Sequence, residues 1–250
     1  MMWHYISADL RRVARKPSFC GVVGAFALLF AVLIFIYFNP TFTMDVYVAK
    51  VVQFLGFFPF FIGGVVFLAV YVDDFKCKSM QVAIGYGMSR SRLVLAKLLE
   101  SVLLVLGVSL VMTVLVLVTP MLLGLTASWQ QLAALALSVM AEMFRAFGYI
   151  AMAAVLVFLT QDGSGGIIAY VLLSTKTVYI VLSMILSQDI FLSTFGDCTQ
   201  YLYTALLYTV KASVVSGTSF LPMLVVTLLL YVGVPTVVAV IGFQKKELEF

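Results

Sequence analysis

Six apolar stretches, at 19–38, 51–72, 93–118, 134–160, 165–187 and 220–242, are each long enough to cross a bilayer. A helix rises about 1.5 Å per residue, so about 20 apolar residues span the ~30 Å hydrocarbon core. Inside that core the backbone must satisfy its own hydrogen bonds, which favours helices. Asn39-Pro40, Asp73-Asp74, Thr119-Pro120, Gln161-Asp162-Gly163-Ser164 and Gln188-Asp189 separate the stretches. The chain of 250 residues is 64% hydrophobic and 10% charged, against roughly half apolar and a quarter charged in soluble domains. The expectation is an all-α integral membrane protein with six transmembrane helices, residues 1–250 forming one transmembrane domain. No room is left for a soluble domain, so nucleotide chemistry would belong to another chain.

The first stretch follows Arg11, Arg12, Arg15 and Lys16, as the apolar core of a signal peptide would. It is long enough to span, and Asn39-Pro40 follows it in place of a small-residue cleavage site. A retained first span is therefore expected. Orientation follows from the basic loops. With both ends and the 73–92 loop in the cytoplasm, that face collects Arg11, Arg12, Arg15, Lys16, Lys76, Lys78, Arg90, Arg92, Lys97, Lys245 and Lys246, eleven of the 15 basic residues. The opposite face holds Lys50 and Lys211, with Arg145 and Lys176 inside spans.

Two regions outside the spans carry information. Residues 2–16 place Trp3, Tyr5, Ile6, Leu10 and Val13 before the basic cluster, as an amphipathic helix lying in the interface would. A plain basic flank satisfying the charge rule is the alternative. The external connection 188–219 contains Tyr201–Val210, which is apolar but too short to span. Re-entrant or surface helices are expected there, with Tyr201, Ala205 and Tyr208 sharing a face.

The loop between the second and third stretches runs Asp73-Asp74-Phe75-Lys76-Cys77-Lys78-Ser79-Met80-Gln81-Val82-Ala83-Ile84-Gly85-Tyr86-Gly87-Met88-Ser89-Arg90-Ser91-Arg92. Phe75 to Ile84 can form one short helix with Met80, Ala83 and Ile84 on one side. Gly85 and Gly87 can stop it, and Ser89 or Ser91 can cap the next helix, with Arg90, Arg92 and Lys97 at the headgroups. The loop reads as a docking element held at the cytoplasmic surface, or as an ordinary basic loop.

Gly85-Tyr86-Gly87-Met88-Ser89-Arg90-Ser91-Arg92, with Lys97 after it, resembles the G-x-S-R…K segment in permease subunits of ABC-2 type ABC transporters. The whole layout is similar to the six-span group that includes lantibiotic-immunity and other peptide-exporting permeases. The resemblance implies an N-terminal interfacial helix, a coupling helix between spans two and three, and short external helices between spans five and six. It also implies a bacterial cytoplasmic membrane and a second permease, identical or related. Asp73, Asp74, Phe75, Lys76, Met80, Ile84, Gly85, Gly87, Ser89 and Arg90 would then meet a separate cytoplasmic ATPase that binds ATP and Mg. The chain has no G-x-x-x-x-G-K-[ST] loop, so it is not expected to be an enzyme or to carry a cofactor.

Within the spans, Glu142 and Arg145 share a helical face, while Lys176 falls near the middle of the fifth stretch. Charges there cost several kcal/mol at about the bilayer centre unless they face protein or water. They either line a substrate path or pair with one another. Pro59, in Phe57-Phe58-Pro59-Phe60-Phe61-Ile62-Gly63-Gly64, permits a kink, and the glycines permit close packing. Cys20, Cys77 and Cys198 have no metal-site spacing. Asp162-Gly163-Ser164-Gly165-Gly166 reads as a tight turn, since the single histidine, His4, is too remote to serve an intramembrane serine. No nucleic-acid partner is expected. The function read here is ATP-driven export of an amphipathic or hydrophobic cargo, such as an antimicrobial peptide or toxin. The alternatives are a scaffold or sensor that binds a cytoplasmic partner through 73–92, and an ion-coupled carrier, for which no internal repeat is evident.

Overall fold

A computed structural model describes residues 2–245; Lys246, counted above among the basic residues of the C-terminus, lies outside them. Among the described residues every regular element is helical. Helix α1, Met2–Ala14, buries Ile6, Asp9 and Val13 on one face, the three- and four-residue spacing of a helical stripe. It leaves Trp3 and Arg11 exposed. Pro17 opens α2, Pro17–Tyr37, because a first-turn proline gives up no intrahelical bond.

Helix α3, Met44–Lys76, is longer than the expected 51–72 at both ends. It is interrupted after Leu55 and winds as π turns at Pro59–Gly63 and Leu68–Val72. Pro59 supplies no N–H to the helical ladder, so a break falls where the sequence permits a kink. The helix expected over Phe75–Ile84 is two pieces. α3 runs on to Lys76, Lys78 turns left-handed at φ 55°, and α4, Ser79–Gly85, follows. Gly87, at φ 89°, supports the chain reversal after α4, where Met88 N–H donates to the Ala83 carbonyl at 3.1 Å.

Helices α5, Arg90–Leu122, and α6, Trp129–Thr160, are each about 48 Å long at 1.5 Å per residue. Both exceed the hydrocarbon thickness. Ser128 and Gln131 close a reciprocal cap at the start of α6. Asp162 caps α7, Gly163–Ser174, by accepting from Ser164 N–H at 3.0 Å. Those amide bonds hold the exposed Asp162 carboxyl below its usual range. The fifth stretch is not one straight span: α7 and α8, Thr177–Leu186, meet at 63°. Lys176 occupies the bend at φ 62°.

Two short helices, α9 Asp189–Phe195 and α10 Tyr203–Val215, and one 3-10 turn, Thr199–Tyr201, fill the next connection. Tyr201 falls in that turn, so it does not share a helix with Tyr208. The buried face of α10 is Tyr203, Thr204, Leu207 and Val210. The last helix of the described residues is α11, Leu221–Lys245. Among the described residues five helices are thus long and apolar enough to cross a membrane, six when the α7–α8 pair counts as one.

Helices α3 and α6 form the centre, each 67% buried over its most apolar window, against 11% for α11. α6 packs on α3, α5, α7, α10 and α11. Against α3, the Tyr170 ring of α7 stacks on Phe67 at 5.2 Å, and its hydroxyl donates to the Pro59 carbonyl at 2.5 Å. That approach requires glycine at position 63, because a Cβ there would lie 1.9 Å from Tyr170 Oη. At Gly64 the nearest atom would be 3.7 Å away. Gly63→Ala is therefore expected to lower the unfolding free energy in detergent by about 1–3 kcal/mol, with Gly64→Ala near neutral. Equal midpoints for the two variants would show that Tyr170 does not fix this contact.

Candidate functional site

The end of the bundle that carries α1 and α4 holds a buried ionic cluster. Its hub is Lys97, which is fully buried on α5. The Lys97 ammonium contacts the Asp9 carboxylate of α1 and the Asp74 carboxylate of α3, and lies 3.0 Å from Glu100 on its own helix. Arg12 binds Asp9 through Nε and Asp74 through Nη2, both at 2.5 Å. Lys16 pairs with Asp73 just outside, and the Tyr5 ring lies 5.0 Å from the Lys97 ammonium.

Three elements far apart in sequence are thereby joined by charge. Asp9–Arg12 and Lys97–Glu100 are three-residue pairs on single helical faces, and Asp74 links the two. Burial pushes the Tyr5 phenol up to about 12. Burial also pushes the Asp9 carboxyl up, but Lys97 and Arg12 more than offset this and hold it below its ordinary value. The Arg12 guanidinium, raised against burial by Asp9 and Asp74, stays charged.

The hairpin of α3's end and α4 sits on this cluster. Asp74 is 1% exposed, so its carboxylate faces the interior rather than the surface. Phe75 packs edge-on to Phe158 at 6.1 Å, Met80 is buried, and Ile84 is partly buried. Lys76, Gly85, Gly87 and Ser89 are exposed. Lys78, Val82 and Tyr86, one helical turn apart, form the outward face, with Tyr86 76% exposed. Ser89 stands at the start of α5 without a side-chain cap, and Ser91 accepts from Gln244 Nε2 at 2.5 Å instead. Arg90 donates to the Phe243 and Gln244 carbonyls, each at 3.1 Å, clamping the end of α11 to the start of α5. Lys97, expected at the headgroups, is instead the buried hub. Three carboxylates converging on one site make that the lower-energy place for its charge.

A second cluster lies against the middle of α6. Arg145, 2% exposed, pairs with Glu142 at 2.5 Å, donates to the Gly56 carbonyl at the break in α3 at 2.7 Å, and reaches Tyr208 Oη at 3.4 Å. Lys176 donates to the same Tyr208 hydroxyl at 3.3 Å, and Lys211 to Ser138 at 2.8 Å. Helix α10 is pinned alongside. The Tyr203 hydroxyl donates to the Phe144 carbonyl, and Tyr149 bonds Thr204 at 2.9 Å. Glu142, Arg145 and Lys176 therefore gather at one site, with Gly56 three residues from Pro59. Among the described residues no set of metal-ligating side chains is grouped.

Asp9 and Glu100 carry no sequence-based expectation, and Arg12 enters only as part of the basic cluster, although the opposite charges spaced by three are a visible signal. Val82 and Tyr86 were missed because exposure on a short helix depends on which side docks. Comparison with known proteins gives no matching family model and no matching curated protein.

Proposed function

We propose that this chain is the membrane subunit of an ATP-driven exporter of the ABC-2 type, working with a separate cytoplasmic ATPase and a second permease. On this reading the cluster end faces the cytoplasm of a bacterial cell, with both termini inside. The carrying observation is mechanical. An exposed face of Lys78, Val82 and Tyr86 stands on a base tied to α1, α3 and α5 through Asp9, Arg12, Asp74 and Lys97, while Arg90 ties α5 to α11. A push on that face is delivered to several spans at once, because charge pairs in a dry setting resist separation. A solvated loop would absorb it. Asp74 acts here as an anchor beneath the contact, and Tyr86 and Val82 make the contact. The mixed basic and apolar character of that face suits a groove on a soluble protein.

The test is capture of an ATPase by the purified chain, then ATP hydrolysis by the complex in nanodiscs. Val82→Asp with Tyr86→Asp should lower captured ATPase and chain-dependent hydrolysis at least about ten-fold, equivalent to ~1.4 kcal/mol, with the unfolding midpoint unchanged. Failure of the unaltered chain to bind any ATPase overturns the proposal. Capture of a partner that hydrolyses no nucleotide, through the same face, would favour the scaffold or sensor reading.

A further inference from the structure

Two cavities of about 430 and 440 Å³ lie along the same side of α3 and share Phe60 and Phe61. They form one trough between α3 and α7, open on one side, with Lys16 and then Ser18 and Val22 of α2 at one end. The α3 wall runs from Gln53 to Asp73, about 30 Å at helical rise, which matches the hydrocarbon thickness. Its middle is apolar and aromatic: Phe57, Phe60, Phe61, Gly64 and Leu68. Its ends are polar. Lys16 marks one, paired with Asp73, and Lys176 marks the other, with Gln53 beside it.

The charge at the Lys176 end is one-sided. Glu142 is held by Arg145, yet Lys176 and Lys211 also act on it. Three cations thus face one carboxylate. Among the described residues the Lys176 ammonium has the Tyr208 hydroxyl and ring as its partners, and no carboxylate lies within ion-pair distance of it. The Gln53 side chain makes no hydrogen bond among the described residues, although its carbonyl accepts from Gly56 N–H at 3.2 Å. At φ 62°, position 176 suits glycine or asparagine better than lysine, so backbone geometry does not explain the side chain found there.

We infer that the trough binds an amphiphile with an anionic head, a carboxylate or phosphate, seated at Lys176 and Gln53, and an apolar tail laid along Phe57, Phe60 and Phe61. A cationic peptide would meet like charge at that end, whereas an anion supplies the missing counter-charge. The trough's length and its apolar middle suit an alkyl chain. As a description of cargo this rests on the exporter reading; as a binding site it does not.

The probes are three photoactivatable amphiphiles with one diazirine-bearing alkyl chain and a carboxylate, phosphocholine or amine head. They are offered to the purified full chain in phosphatidylcholine nanodiscs at low salt, and the labelled peptides are read by mass spectrometry. The carboxylate probe should label 57–64 of α3 at least about ten-fold more strongly than the other two. Lys176→Asn, which tolerates the left-handed turn, should remove that preference, while Lys176→Arg and Lys211→Gln should keep it. A single charge-assisted contact is worth about that factor. Filling the trough with Gly64→Leu should suppress labelling by all three heads. Equal labelling by the three heads, an unchanged preference in Lys176→Asn, or chain-to-chain cross-links that cover the trough would each overturn the inference. No ATPase is needed, so an anionic preference without ATPase capture would refute only the exporter reading. ATP-driven activity without the preference would refute only this one.

Discussion

Lys97→Met is expected to lower the unfolding free energy by about 3–5 kcal/mol, because it leaves buried carboxylates without their shared cation. Asp9, Asp74 and Glu100 all converge on that ammonium, and Arg12, 2.5 Å from both aspartates, can neutralise only one charge. Unfolding in mixed micelles of rising SDS fraction measures the loss. Restoring the balance should restore stability: Lys97→Met combined with Asp74→Asn and Glu100→Gln leaves Asp9 with Arg12 and should recover most of the deficit. Neighbouring charges of this kind are strongly non-additive. A cost below about 1 kcal/mol in the single variant, or a triple variant no better than the single, would show that the cluster is not a unit.

The long apolar stretches made the helical, membrane-type architecture legible, because composition and length bear directly on that question. Helix ends were less legible. α3 begins at Met44 and runs to Lys76, since Asp45, Lys50, Asp73 and Asp74 can sit in a helix whose ends leave the apolar layer. The bend at Lys176 had no proline or glycine to announce it. Hydropathy sums over a window and does not register a single residue turning left-handed.

The gathering of Glu142, Arg145 and Lys176 follows from the cost of lone charges in a span, which sequence does convey. Their use of the Gly56 carbonyl and of Tyr208, from α3 and α10, depends on tertiary packing and could not be read. Lys97 shows the same limit from the other side. Its place near a basic loop suggested a headgroup anchor, yet the partners that bury it lie 88 and 23 positions earlier in the chain, at Asp9 and Asp74.

At the α6 cluster, Arg145→Met should also cost about 3–5 kcal/mol, through loss of the buried partner of Glu142. The guanidinium does a second job that charge balance alone cannot replace, donating to the Gly56 carbonyl at 2.7 Å where α3 is broken ahead of Pro59. The two contributions separate in a double variant. Glu142→Leu with Arg145→Met removes both charges and should recover most of the loss. It should still fall about 1 kcal/mol short of the unaltered chain, the scale of one hydrogen bond in this setting. Arg145→Lys keeps the charge but not the planar fork that serves carboxylate and carbonyl together, and should lie between the single and the unaltered chain. Glu142→Ala should harm folding more than Leu110→Ala, whose side chain is 59% exposed on α5. A double variant as weak as Arg145→Met alone would mean that ion pairing with Glu142 contributes little, and that the carbonyl at the break in α3 is what Arg145 is there to hold.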